Sequence, residues 1–303
     1  MVLPGAIWLL LFSYLPMPGI IMAFKTYRLA RPPADYWTQN KFIYSLIQSS
    51  WVGLQNFRYL TLPTNMKATL TYIRNTVGYN LLFMVVGLVL SVALAVIIFE
   101  LTNRFWAKLY HSILFLPFFI SWIVVAYVVY ALGSSNGIIN SMLTSLGMET
   151  IEVYKEQVYW PFIFLVANIW KYTGNGSIIY LATITGIGRE LYEAAAIDGA
   201  SKWQQFTHIT LPHLIPVIVL LQILAVGRIF TSDFGMFYTL PSGAALVKDV
   251  TQTIDVYVYS MLRSNLPLGY PAAAAVLQSV VGFILILVTN YIVRKTRPEM
   301  ALF

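Results

Sequence analysis

Six runs of the chain, near 2–24, 76–99, 112–133, 161–187, 212–233 and 272–293, each consist of about twenty predominantly apolar residues. A helix rises 1.5 Å per residue, so a run of about this length covers the hydrocarbon core of a bilayer. Lipid offers the backbone no hydrogen-bonding partner, which leaves only helices or closed barrels as crossing structures. These runs are continuous and lack the alternation of barrel strands, so the expected fold class is an all-α membrane protein with six transmembrane helices. Composition agrees: only 10% of the residues are charged, against about 25% in soluble domains. The net charge of +7 comes from cations scattered among the apolar runs. That distribution argues against nucleic acid and for membrane lipid, an acidic partner or an acidic solute. With no cysteine in the chain, structural disulfides, thiolate metal sites and a cysteine nucleophile are excluded.

The first run, "MVLPGAIWLLLFSYLPMPGIIMAF", has no basic leader and no small-residue cleavage site, so it reads as a span and not as a secretory signal. Six crossings put both ends of the chain on one side. Arg294, Lys295 and Arg297 abut the last run and Arg104 and Lys108 sit in a short connector, which makes those segments and 186–211 cytoplasmic. The external segments are then 25–75, 134–160 and 234–271. One of them resists: 25–75 holds Lys25, Arg28, Arg31, Lys41, Arg58, Lys67 and Arg74 against a single Asp35. No low-complexity tract, linker or repeat interrupts the chain, so a single domain over 1–303 is expected.

Between the fourth and fifth runs lies "ELYEAAAIDGASKWQQFTHITLP", residues 190–212, amphipathic where its neighbours are apolar. Glu190 and Glu193 suit the first turn of a helix, Ala194 to Ala196 are strong helix formers, and Gly199 can adopt the left-handed conformation that ends one. Ser201 can cap a second short helix, and Pro212 fits the first turn of the fifth span. The expectation is a helix, a sharp bend and a second helix lying along the membrane surface.

The run Glu193-Ala194-Ala195, then Asp198-Gly199-Ala200, then Ile209-x-Leu211-Pro212 resembles the EAA loop of permease subunits of ATP-binding-cassette importers. In that family the loop is a cytoplasmic coupling helix seated in a groove of the ATPase subunit. The resemblance implies that Glu193, Ala194, Ala195, Asp198, Gly199, Leu211 and Pro212 are the ATPase-coupling residues. "VGLQNFRYL", "RNTVGYN", "IWKYTGNGSIIYLATI", "SDFGMFY" and "DVYVYSML" are similar to carbohydrate permeases of the six-helix, maltose-importer-like class. They look most like the branch for polysaccharide-derived oligosaccharides, which includes the first permease subunit of the alginate importer. One departure is Arg228, where a small residue is expected. The resemblance implies a multi-pass protein of the bacterial inner membrane. Its partners would be a second, non-identical permease, two ABC ATPase subunits and an external solute-binding protein. It also implies that this chain catalyses nothing. No G-x-x-x-x-G-K-[ST] motif occurs, so ATP and Mg are used by the partner ATPases and this chain binds no cofactor.

Three charges fall inside the expected runs: Lys171, Arg228 and Asp233. A charge facing lipid at a helix centre costs roughly 2.5–3.5 kcal/mol, so each should face the bundle, a partner or water. Arg228 and Asp233 are five residues apart, about 140° around a helix, and do not naturally pair. Two readings stand for Lys171 and Arg228. They line a solute path together with Asn168, Trp170, Tyr172, Asn175, Tyr180 and Gln222, where aromatic faces and amides suit sugar rings and cations suit a uronate. Otherwise they make interhelical hydrogen bonds or meet the second permease. The glycines of "TGNG" are expected to loosen the fourth helix. His111, His208 and His213 have no ligand spacing, so no metal site is expected. An ion-coupled secondary carrier would need intramembrane carboxylates, and Asp233 is the only one the runs offer. An importer for a neutral oligosaccharide remains the other alternative.

Overall fold

The computed structural model describes residues 2–101, 103–264 and 266–302. Among them there is no strand, only an isolated antiparallel bridge between Lys25 and Trp51. In chain order the helices are α1 (Leu3–Leu9), α2 (Lys41–Gln48), α3 (Gln55–Thr61), α4 (Pro63–Glu100), α5 (Arg104–Phe115), α6 (Trp122–Gly133), α7 (Ile138–Ser145) and α8 (Trp160–Thr185). They continue with α9 (Arg189–Ile197), α10 (Lys202–Gln205), α11 (Leu211–Gly227), α12 (Phe234–Thr239), α13 (Lys248–Thr251), α14 (Ile254–Arg263) and α15 (Gly269–Thr296).

Among the described residues, five helical segments are long and apolar enough to cross a membrane: Leu3–Phe24, Pro63–Glu100, Trp122–Ser145, Lys202–Gly227 and Gly269–Thr296. The remaining expected crossing, 161–187, is the 26-residue α8, about 39 Å long and thus of sufficient length. Its Asn168, Lys171, Asn175 and Ser177 make it the most polar of the six.

The second expected run starts earlier than 76, since α4 begins at Pro63, inside the segment 25–75 expected to be a connector. Three further boundaries shift, each for a local reason. The run 112–133 is not one helix: α5 tightens into a 3-10 turn over Leu116–Phe119 at Pro117, the chain extends at Ile120, and α6 starts afresh with Ser121 as its cap. The fifth run ends at Gly227, not at 233, because Arg228 leaves the helical region with φ −103° and ψ 10°. Arg228 and Asp233 therefore do not share a helix, and the angular argument about their separation does not apply. Finally, α10 does not stop before the fifth run. A π-helical turn over Phe206–Thr210 carries it directly into α11. Pro212 has no N–H and would clash with a carbonyl four residues back in a regular helix, and the wider turn accommodates it.

The chain groups into two compact units, one of Met1–Ile73 with Ile254–Val281 and one of Arg74–Thr253 with Gly282–Phe303. The first is centred on Leu60, Met261 and Ala274 with Tyr59, Tyr257 and Tyr270 packed around them. Tyr59 and Tyr270 stack with centroids 4.2 Å apart, and the Asn56 amide donates to the carbonyls of Ala23 (2.8 Å) and Lys25 (2.9 Å). A side chain on Gly269 would strike that amide. Burial among Tyr59 and Tyr72 pushes the Tyr257 hydroxyl up to about 12.

The second unit has its core where α4, α8 and α11 meet, at Val92, Ala95, Tyr180, Ile184 and Leu214. Gly174 permits a close approach of α5 to α8, since a Cβ there would collide with the Leu114 carbonyl oxygen. The glycines of "TGNG" thus serve packing, and α8 runs unbroken through them. This corrects the expectation of a loosened helix.

Candidate functional site

Two parts of the second unit hold the residues singled out from the sequence. The first is the surface elbow. Helix α9 ends in a Schellman arrangement: Ala200 N–H donates to the Ala195 carbonyl (2.9 Å) and Gly199 N–H to the Ala196 carbonyl (3.1 Å). Gly199 has φ +78°, a region that costs an L-residue about 1–2 kcal/mol. Ser201 and Gln204 then form a reciprocal capping box that starts α10. Only Glu190 lies in the first turn of α9; Glu193 is one turn further on.

Glu193, Ala194, Asp198, Gly199 and Pro212 are exposed, while Ala195 and Leu211 are half-buried. Ile197 is 87% exposed and Trp203 70%, large apolar side chains on an otherwise polar turn. The opposite side of the elbow is tied down. Tyr192 meets the Thr210 hydroxyl at 2.9 Å and packs its ring 5.5 Å from Phe99, while Lys202 pairs with Glu100 at 2.6 Å. These anchors join α9 and α10 to the end of α4 and the start of α11. Sequence reasoning missed Tyr192, Lys202 and Glu100, because their partners lie on different elements.

The second part is a polar cluster within the apolar region. Lys171 is 6% exposed, and its ammonium donates to the carbonyls of Phe118 (3.0 Å), Pro117 (3.4 Å) and Ile120. The Pro117 carbonyl also accepts the Ile120 N–H (3.1 Å) that closes the 3-10 turn, while the Phe118 and Ile120 carbonyls lie where α5 has ended and α6 has not begun. A lysine ammonium has three N–H donors, and three carbonyls use them. The same charge lies over the rings of Trp122 (5.2 Å) and Tyr172 (5.9 Å). One oxygen of Asp233 accepts from Trp122 Nε1 (2.7 Å) and from the Tyr172 hydroxyl (2.5 Å), and the other caps α12 at Met236 N–H. The cluster links the break, α8 and α12.

The other candidates separate. Asn168, Lys171, Tyr172 and Asn175 recur at helical spacing along one stripe of α8. Trp170 is on a different face, against an apolar groove beside Val166 and Ala167. Tyr180 is buried in the core with Ile184 and Leu214. Gln222 is half-buried on α11, and Arg228 is exposed at that helix's end. The turn after Arg228 is held by Asn80, whose amide donates to the carbonyls of Ile229 (3.0 Å) and Thr231 (2.9 Å). Asn75 likewise grips the carbonyls of Asp249 (2.8 Å) and Gln252 (3.0 Å), and the Tyr79 hydroxyl that of Val250 (2.8 Å). These three lie in "RNTVGYN", a stretch noted for its resemblance and not for this latching role. Among the described residues no group of His, Asp or Glu is arranged to hold a metal.

An elbow exposed at its bend and a bundle with a polar seam suit a transport protein, and the comparisons with known proteins are decisive. The family described as "Binding-protein-dependent transport system inner membrane component" matches residues 68–298. The chain belongs to that family. The permease is 32% identical over 99% of its length, and 88% of the relative's, to the polygalacturonan/rhamnogalacturonan transport system permease protein YteP of Bacillus subtilis. Protein LplB of the same organism is 30% identical over 99% of this chain and 89% of its own. A crystal structure of a bacterial ABC transporter involved in import of the acidic polysaccharide alginate contains a chain that superposes with a TM-score of 0.82 at 30% identity. The match covers 98% of this permease and 94% of that chain. The family places the permease in the bacterial inner membrane, and the helices of the second unit form most of its matched region.

Proposed function

We propose that this permease is one half of the translocation path of an ATP-driven importer of polysaccharide-derived, acidic oligosaccharides. In this reading α8 is the sixth crossing and residues 189–212 are the cytoplasmic elbow that engages a separate ATPase. The observation that carries the reading is the elbow's two-sidedness. One side presents Glu193, Ile197, Asp198 and Trp203 outward, and the other is fastened to α4 and α11. A push on the exposed side is passed on as rigid-body motion of the helices, exchanging inward for outward access. The relatives' association with polygalacturonan, rhamnogalacturonan and alginate supports an anionic sugar as solute. A second, non-identical permease, two ATPase subunits and an external binding protein complete the assembly.

Along the path we assign Asn168, Tyr172 and Asn175 on α8 and Gln222 on α11 to the sugar hydroxyls and ring faces. Arg228 is the cation for the carboxylate. Lys171, its donors already satisfied, orients Tyr172 and Trp122 and holds the α5–α6 break in place. Trp170 and Tyr180 take packing roles. Uptake assays with uronate-containing and neutral oligosaccharides of equal length test the assignment. Arg228→Gln should lower uptake of the acidic solute about tenfold more than that of the neutral one, the loss of one charged hydrogen bond. Equal losses on both solutes would remove Arg228 from the path.

A further inference from the structure

At the elbow end of the second unit a cleft of about 430 Å³ opens between the end of α4, the first turns of α5 and the junction of α8 with α9. Its wall is apolar at Phe99, Leu181 and Ile187 and basic at Lys108 and Arg189, with His111 beside them. No carboxylate lines it. Of the acids on the same elements, Glu100 pairs with Lys202, the Glu190 carboxylate lies beside Gly188, and Glu193 is exposed on α9. Among the described residues no carboxylate approaches Lys108 or Arg189 within ion-pair distance.

The depth of the cleft follows from α5. Phe105, Trp106 and Tyr110 are exposed there, with Trp106 and Tyr110 stacked 5.8 Å apart. Exposed aromatics of this kind sit at the headgroup level of a bilayer. Unpaired cations at headgroup depth beside an apolar wall are complementary to a phosphate carrying an acyl chain.

We propose that this cleft holds an anionic phospholipid, its phosphate between Lys108 and Arg189 and one acyl chain along Phe99, Leu181 and Ile187. The lipid would wedge the elbow's base against α4 and α5. Its assignment to the inner leaflet rests on the cytoplasmic placement of 189–212 proposed above; the site itself does not.

The test uses the assembled transporter extracted from vesicles of equal phosphatidylglycerol and phosphatidylcholine, with retained lipid read by native mass spectrometry. The wild type should retain phosphatidylglycerol selectively. Each basic residue near an anionic surface is worth about 1 kcal/mol, so K108Q should cut retention about fivefold and K108Q with R189Q about thirtyfold, while K108R keeps it. Equal retention of the two lipids by the wild type would overturn the proposal, and that arm needs no variant to assemble. Unchanged retention in an intact double variant would overturn it as well. So would displacement of the lipid by soluble glycerol phosphate at comparable concentration, which would show a headgroup site only. Burial of Lys108 under the ATPase with no lipid bound would give the cleft to that protein. Glu193→Lys separates the two readings: it should abolish uptake while leaving lipid retention intact.

Discussion

The elbow and the polar cluster around Lys171 carry charged residues in opposite ways. Within the apolar region Lys171 and Asp233 are surrounded by their own chain: three carbonyls and two rings for the cation, an indole, a phenol and a backbone amide for the acid. On the elbow Glu193 and Asp198 are exposed, as are Ile197 and Trp203. Burying a polar group without a partner is costly, so groups in the bundle must be satisfied internally, and they report on architecture. Groups that water can satisfy are under no such demand, and their placement beside large exposed apolar side chains reports on a partner.

The contrast breaks most readily at Lys171. Lys171→Met removes the cap from the helix break and leaves the part-buried Phe118 and Ile120 carbonyls without their donor, at about 1–3 kcal/mol each, while the Pro117 carbonyl keeps the Ile120 N–H. A loss of about 2–6 kcal/mol is expected, visible as a large drop in the melting temperature and yield of the purified complex. A Lys171→Met complex as stable as wild type would mean that the break does not need its cation.

Gly199→Val comes next. It forces a β-branched residue into φ +78°, at about 1–2 kcal/mol or more, and should reshape the bend so that ATP hydrolysis continues without uptake. Glu193→Lys sharpens the comparison from the other side: an exposed position should change stability by no more than about 0.5 kcal/mol, yet uptake should be lost. Smallest is Glu100→Gln. The Glu100–Lys202 pair is partly exposed, so its removal should cost less than about 1 kcal/mol, an effect that shrinks further with added salt.

The same contrast decides what could be read from sequence. The elbow is built from local rules: Gly199 to close, Ser201 with Gln204 to restart, alanines in between. Its shape follows from adjacent residues and was legible. Five apolar spans were legible too, because hydropathy sums over a window and needs no partner, whereas the polar residues of α8 keep 161–187 below that measure. What hydropathy hides is interruption. "ILFLPFFISWIVV" is apolar but for Ser121, so hydropathy passes over the break at 116–121 although Pro117 and the Ser121 cap mark it, and the lysine that stabilises the break is some fifty residues away. The end of α11 was misplaced for a similar reason, since "GRIF" continues the apolar run while Arg228 already leaves the helix and Asn80 of α4 holds the turn. The solute-path candidates were chosen by residue type alone, which cannot tell the stripe of Asn168, Tyr172 and Asn175 from core Tyr180.

The most direct test of the elbow exploits a chain without cysteine. Ile197→Cys introduces a single thiol at the 87%-exposed tip of α9. Labelling with a membrane-impermeant maleimide, alongside short-linker crosslinking to cysteines in the ATPase subunit, reports both its side and its partner. If the elbow couples transport to ATP, the introduced thiol is shielded in intact cells, labelled in inside-out vesicles, and crosslinked to the ATPase with a yield that changes on nucleotide binding. Labelling from outside intact cells, or an assembled transporter in which that thiol never reaches the ATPase, would contradict it.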